Sequence, residues 1–270
     1  MDDLDSVEAL FPSQVMPSST VTVSDIASED VDLGAPLWPV PRSFLRVDPR
    51  LSRCQPLATA SEIDEILALR SKFRVGDYHD PYVNDVTRAF RLMHEKKFYL
   101  EIGTFDRGNL ANMSTLLSDD AVLIGVDTQD EPKRDSLLRS FLKPGQIYHS
   151  VVGSSRSRQV VDQVRSLIGE DRLDGIFIDG DHTAYGALSD YANYESMASD
   201  DGAIFLHDSV WEGNAQYKGV ADALEEINRH DQVYLVDGAN PCRRFGRVMF
   251  RNENWGVVGV VFASDQQWRR

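Results

Sequence analysis

Phe98-Tyr-Leu-Glu-Ile-Gly-Thr-Phe-Asp-Arg-Gly108 decides the fold of this chain. A short apolar run ends in Glu101-Ile-Gly103, a second glycine follows at Gly108, and a helical pattern begins. The next apolar run, Ala121-Val-Leu-Ile-Gly-Val-Asp127, closes on an acid. The order is strand, glycine turn, helix, strand, carboxylate. Such glycines let the backbone approach a ligand, and a carboxylate in that place accepts hydrogen bonds from a ribose diol. A nucleoside-containing ligand is therefore expected at the carboxyl ends of parallel strands.

Gly103 and Gly108 do not complete G-x-G-x-x-G, because position 105 is Phe. Glu101 stands just before the turn, where it would repel a pyrophosphate and suit a cation. These two features disfavour a nicotinamide-dependent oxidoreductase on a similar sheet.

From position 97 the pattern alternates. Strands are expected at 97–102, 121–126, 146–152, 174–179 and 202–207, with helices at about 108–118, 131–142, 156–168, 184–198 and 216–229. Runs such as Gly175-Ile-Phe-Ile178 and Ala203-Ile-Phe-Leu206 are apolar throughout, as in strands covered on both faces. Two further strands, 232–236 and 256–262, have no helix between them and are expected to be antiparallel, with 246–250 as a further edge strand. The fold class is α/β, Rossmann-like, with a mostly parallel sheet, a C-terminal antiparallel hairpin and helices on both faces.

Upstream, residues 1–41 carry eight acids and no Lys or Arg, and read as an acidic flexible arm. Leu10, Phe11, Val15 and Met16 could dock it on a partner subunit, giving a homo-oligomer through the N-terminal region, or cover the active site. Residues 42–96 read as a helical cap or lid segment. Ser61 caps a helix carrying Ile63, Ile66 and Leu67, and Asp80-Pro81 starts another along Val83, Val86, Phe90 and Met93. The loop 74–80 between them is long enough for a lid. Residues 97–270 form the ligand-binding domain.

The net charge of −15 lies largely in the arm and argues against a nucleic-acid partner. Two cysteines, Cys54 and Cys242, give neither a metal spacing nor a disulfide framework. With no apolar run of membrane-spanning length and no basic leader, a cytoplasmic location without membrane attachment is expected.

The fourth strand ends in Ile176-Phe-Ile-Asp-Gly-Asp-His182 and the fifth in Phe205-Leu-His-Asp-Ser209. Neighbouring strand ends converge on one crevice, so Asp179, Asp181, His182, His207 and Asp208 should crowd together. That density of acids and imidazoles calls for a cation. Asp179 and Asp208 offer hard oxygens for Mg²⁺ or Ca²⁺, and ligation by His207 would shift the preference toward Mn²⁺, Fe²⁺ or Zn²⁺. Asp181 or Asp190 could instead simply cap or flank a helix. Trp211, Tyr217 and Tyr78 could form an aromatic wall.

Leu100-Glu-Ile-Gly103, Gly125-Val-Asp127, Phe177-Ile-Asp-Gly-Asp-His182 with Tyr185, and Leu206-His-Asp208 together resemble class I S-adenosylmethionine-dependent methyltransferases. Within that class, residues 97–262 are similar to macrocin O-methyltransferase-like and cephalosporin hydroxylase-like proteins. The resemblance implies methyl transfer to a hydroxyl of a small molecule of sugar or natural-product type. It places Glu101, Gly103, Thr104 and Phe105 at the methionine end of the cofactor, Asp127 at the ribose, Gly153 and Ser154 at the adenine, and Asp179 beside the cofactor. It also implies a metal on Asp179, Asp208 and His207, with Mg²⁺ expected. His182 is the first candidate for general base and His207 the second. Two rival readings are a different, hydroxylase-like reaction on the same cofactor fold and a non-catalytic scaffold.

Overall fold

In a computed structural model, the described residues are 64–66, 68, 69, 72, 73, 89–209, 218–231, 233–236, 243, 244 and 258–265. The arm at 1–41, the lid loop at 74–80, the strand at 246–250, and Trp211, Tyr217 and Tyr78 lie outside them.

The alternating segment folds as β1 (Phe98–Ile102), α1 (Gly108–Leu116), β2 (Val122–Asp127), α2 (Pro132–Arg139), β3 (Ile147–Val152), α3 (Arg158–Ile168), β4 (Leu173–Ile178), α4 (Ala184–Tyr194) and β5 (Ala198–Leu206). Then follow α5 (Lys218–Ile227), β6 (Val233–Val236), β7 (Arg243–Arg244) and β8 (Val258–Phe262). They make one sheet in the order β3-β2-β1-β4-β5-β8-β6-β7. The strands β1 to β5 pair in parallel. Strand β8 is antiparallel to both β5 and β6. The expected hairpin thus forms, with its second strand inserted beside β5. The short β7 pairs with β6 at the edge.

Each face of the sheet has its own core. Leu100, Ile102, Ile124, Ile176 and Ile204 pack with Val160, Val164, Tyr191 and Leu224 of α3, α4 and α5. Tyr99, Leu123, Phe177 and Phe205 pack with Phe90, Met93, Leu110 and Leu138 on the other face. Residues one apart in a strand point to opposite faces, so strands buried on both must be apolar throughout. Phe90 meets the Phe177 ring edge-on at 5.2 Å.

Helix α3 begins at Ser157, whose hydroxyl accepts from Val160 N at 3.3 Å, and α4 at Thr183, whose hydroxyl accepts from Gly186 N at 3.0 Å. Two boundaries differ from expectation by four residues. Helix α4 stops at Tyr194, and a single 3₁₀ turn, Glu195–Met197, leads directly into β5 at Ala198. The exposed acids Asp200 and Asp201 hide those strand residues from a hydropathy reading, and a register irregularity near Leu173 and Gly175 accommodates them.

Candidate functional site

The carboxyl ends of β1, β2, β3, β4 and β5 open into a cavity of about 700 Å³. Every residue assigned a site role from sequence lines it: Glu101, Gly103, Thr104, Phe105, Asp127, Gly153, Ser154, Asp179, His182, His207 and Asp208.

The turn after β1 is tightly determined. Gly103 has a φ of 82°, and a Cβ there would lie 2.1 Å from the Asp179 carbonyl oxygen. Only glycine lets the β1 and β4 loops come so close. Asp127, at the end of β2, accepts from the Thr104 hydroxyl at 3.3 Å, the Phe105 amide at 2.8 Å and the Gln129 amide at 3.0 Å. Its orientation is therefore fixed before any ligand arrives. Glu101 is almost fully buried and accepts from Tyr99 Oη at 3.1 Å.

At the β4 and β5 ends, Asp179 Oδ1 accepts from His207 Nδ1 at 2.9 Å and lies 3.1 Å from His182 Nε2. Asp208 Oδ2 lies 3.3 Å from His182 Nε2, and its Oδ1 lies 3.4 Å from His207 Nδ1. One donor atom from each of the four residues lies within 4.8 Å of the others. Asp208 is held at a φ of 51°, a conformation Asp tolerates better than most residues and one that concentrates at functional sites.

The charges in this cluster are mutually dependent. Burial works to raise the Asp179 carboxyl, but His207 and His182 hold it down to about 2. Hydrogen bonds to Asp179 and Asp208 push His182 up to about 10. Burial opposes a charged His207, yet Asp179 and Asp208 more than offset it and its pKa is raised. Lying between two carboxylates, His182 favours its protonated form. That places it in tension with the base role expected from sequence, and adds it to the group that could hold a metal.

Asp181 lies apart from this group. It accepts from Thr183 N at 3.0 Å at the start of α4 and pairs with Arg156 Nη1 at 2.9 Å. Asp190 is buried, with no hydrogen-bond partner on either oxygen among the described residues. Neither joins the four-residue cluster.

The sequence reading missed four cavity residues whose environment is specific. Asp106, just before α1, accepts from Gly108 N at 2.8 Å. Asn109, in the first turn of α1, is buried with an unpartnered Oδ1 among the described residues. Gln129 fixes Asp127, and Arg156 spans the β3 and β4 loops. Asn109 stands one residue after Gly108, at the helix N-terminus that the glycine turn announced, so its position could have been found.

Residues 100–209 match the family model described as a methyltransferase domain. Among solved structures, cofactor-bound Rv0187 from MTB is similar at 12% identity and a TM-score of 0.51, covering 77% of this chain and 92% of that one. The O-methyltransferase from Bacillus cereus in complex with SAH is similar at 14% identity and a TM-score of 0.48, covering 76% and 92%. The MycE methyltransferase from the mycinamycin biosynthetic pathway, in complex with Mg, SAH and mycinamycin VI, is similar at 16% identity and a TM-score of 0.47, covering 73% of this chain and 53% of that one. No curated protein matches the sequence. The domain match over residues 100–209 and the sheet order bear out the resemblance to class I methyltransferases and the Rossmann-like fold.

Proposed function

We propose that this chain transfers the methyl group of S-adenosylmethionine to a hydroxyl of a small molecule of sugar or natural-product type, assisted by a divalent cation. The observation that carries the reading is the convergence of Asp179, His182, His207 and Asp208 in the cavity that Gly103 and Asp127 also line.

The residues present fit the cofactor. Asp127, fixed by the turn, would accept from a ribose diol. Glu101 and the Oδ1 of Asn109, unpartnered among the described residues, suit the positively charged methionine end. Gly153 and Ser154 line the cavity beyond β3, where the adenine would lie. They also fit a cation. Asp179 and Asp208 supply hard oxygens, and ring nitrogens of His207 and His182 lie within the same 4.8 Å. Such an ion would lower the pKa of the acceptor hydroxyl and offset the charge of the two carboxylates. His182 then needs no proton to balance Asp179 and Asp208, and becomes able to accept one from the acceptor hydroxyl. His207, 4% exposed and packed 5.7 Å from the Phe177 ring, is better placed to orient Asp179 than to meet an acceptor.

A second reading rests on the same geometry. His182 and His207 already balance Asp179 and Asp208, so an imidazolium could take the cation's electrostatic place in the same methyl transfer.

Calorimetry with S-adenosylhomocysteine and with nicotinamide dinucleotide tests the cofactor, with binding expected for the first alone. A search for hydroxylated products gaining a methyl group, before and after chelation, tests the reaction and the cation. Tight binding of the dinucleotide without binding of S-adenosylhomocysteine would overturn the reading.

A further inference from the structure

Between Gly103 and Arg107, three of five residues take a positive φ: Gly103 at 82°, Phe105 at 40° and Arg107 at 69°. Gly103 does so freely, whereas the other two carry side chains and are strained. At 107 a glycine would meet the backbone requirement without cost, so the arginine side chain must compensate.

Its surroundings show how. Among the described residues Arg107 is the largest fully buried side chain, 1% exposed. Its Nε donates to Asp135 Oδ1 of α2 at 2.9 Å, and its Nη1 donates to the Phe105 carbonyl at 2.6 Å. Nη1 also lies 3.7 Å from Asp127 Oδ2. Asp135 is 4% exposed and accepts a second bond, from Tyr148 Oη of β3, at 3.1 Å. Arg134 adds a second donor to the Phe105 carbonyl at 3.1 Å. With that carbonyl fixed, the Phe105 amide is held 2.8 Å from Asp127 Oδ2. Arg107 does not itself line the cavity, although Thr104, Phe105, Asp106 and Asp127 do.

We propose that Arg107 is a positioning residue for the ribose end of the cofactor cavity: anchored on Asp135, it holds the strained Thr104–Arg107 turn and thereby fixes the Asp127 carboxylate. The inference rests on the reading of Asp127 as the ribose contact. A buried ion pair between α1's entry and α2 replaces the glycine that the backbone would otherwise favour, and exchanges conformational ease for a preset carboxylate.

The test is calorimetric titration of the full chain with S-adenosylhomocysteine. Arg107→Gly relieves the backbone strain yet should bind about tenfold or more weakly, as for a lost charge-assisted hydrogen bond. Arg107→Lys should recover part of that loss. Asp135→Asn, which leaves the turn's sequence intact, should reproduce the loss. Arg107→Gly combined with Asp127→Ala should bind little worse than Asp127→Ala alone, because the arginine acts through that carboxylate. A purely structural role would give additive losses and no recovery by lysine. Unchanged affinity in folded Arg107→Gly, or in Asp135→Asn where Arg107→Gly does not fold, overturns the inference while leaving the proposed function standing. A wild type that binds no S-adenosylhomocysteine overturns both.

Discussion

His207 Nδ1 lies 2.9 Å from Asp179 Oδ1, joining the carboxyl ends of the adjacent strands β4 and β5 through side chains 28 positions apart in sequence. The contact follows from the strand pairing, in which Ile178 is level with Leu206. Each strand therefore delivers its next residues to the same depth of the cavity.

That relationship makes Asp179 and Asp208 a unit. Asp179→Asn and Asp208→Asn should each remove most divalent-metal dependence of methyl transfer while sparing S-adenosylhomocysteine affinity. The double variant should be little worse than either single one, since groups acting together lose their effect together. His207→Ala should weaken metal binding by about 10- to 100-fold if the imidazole orients Asp179 rather than ligating. Metal titrations of the purified variants read both effects, and full activity of the wild type after exhaustive chelation would reject the cation.

Asp127→Ala should weaken S-adenosylhomocysteine binding by roughly 10- to 150-fold, on the order of 1.5–3 kcal/mol for a charge-assisted contact. The carboxylate also holds Thr104, Phe105 and Gln129, so the turn loosens at the same time. Asp127→Asn keeps the shape and should fall between the two. Wild-type affinity in folded Asp127→Ala would contradict the ribose assignment.

Gly103→Ala should cost on the order of 1–3 kcal/mol through its left-handed backbone alone. The added methyl would also strike the Asp179 carbonyl, so the loops of β1 and β4 must separate. Thermal denaturation should show the loss of stability and calorimetry the loss of cofactor binding. A variant as stable as wild type with intact binding would show that the close approach is dispensable.

Asp190 should give the protein a stability that falls with pH. Burial pushes its carboxyl up to about 6, with Ser155 and Arg156 of the β3 loop opposing and Asp181 of the β4 loop adding to the rise. The ordinary value is 3.8, so the folded state favours the neutral acid. Its contribution is fully present below about pH 4 and is lost as pH rises through about 6, a change on the order of 3 kcal/mol. Asp190→Asn cannot ionise and should gain stability relative to wild type between pH 4 and pH 7. Denaturant titrations across that range would read it, and parallel curves for the two proteins would refute the assignment.

The sequence by itself determined the α/β class, the parallel sheet, the glycine turn after β1 and the residues at the strand ends. These are local facts: a strand buried on both faces must be apolar along its length, as in Ile176-Phe-Ile178, and a parallel sheet delivers all its carboxyl ends to one side. Asp127, Asp179, His182, His207 and Asp208 needed only that rule to be placed together. The tertiary structure alone decided what depends on distant partners. Residues 199–201 fall between the expected helix and strand because their acids face outward, yet pairing of Ala198 with Leu173 of β4 draws them into the strand. The insertion of β8 beside β5 depends on a register no periodicity encodes. The role of Arg107 depends on Asp135, 28 positions on, which meets it in the core. Whether His182 carries a proton is likewise set by two carboxylates from different strand ends, because electrostatic coupling follows distance in space and a sequence records only distance along the chain.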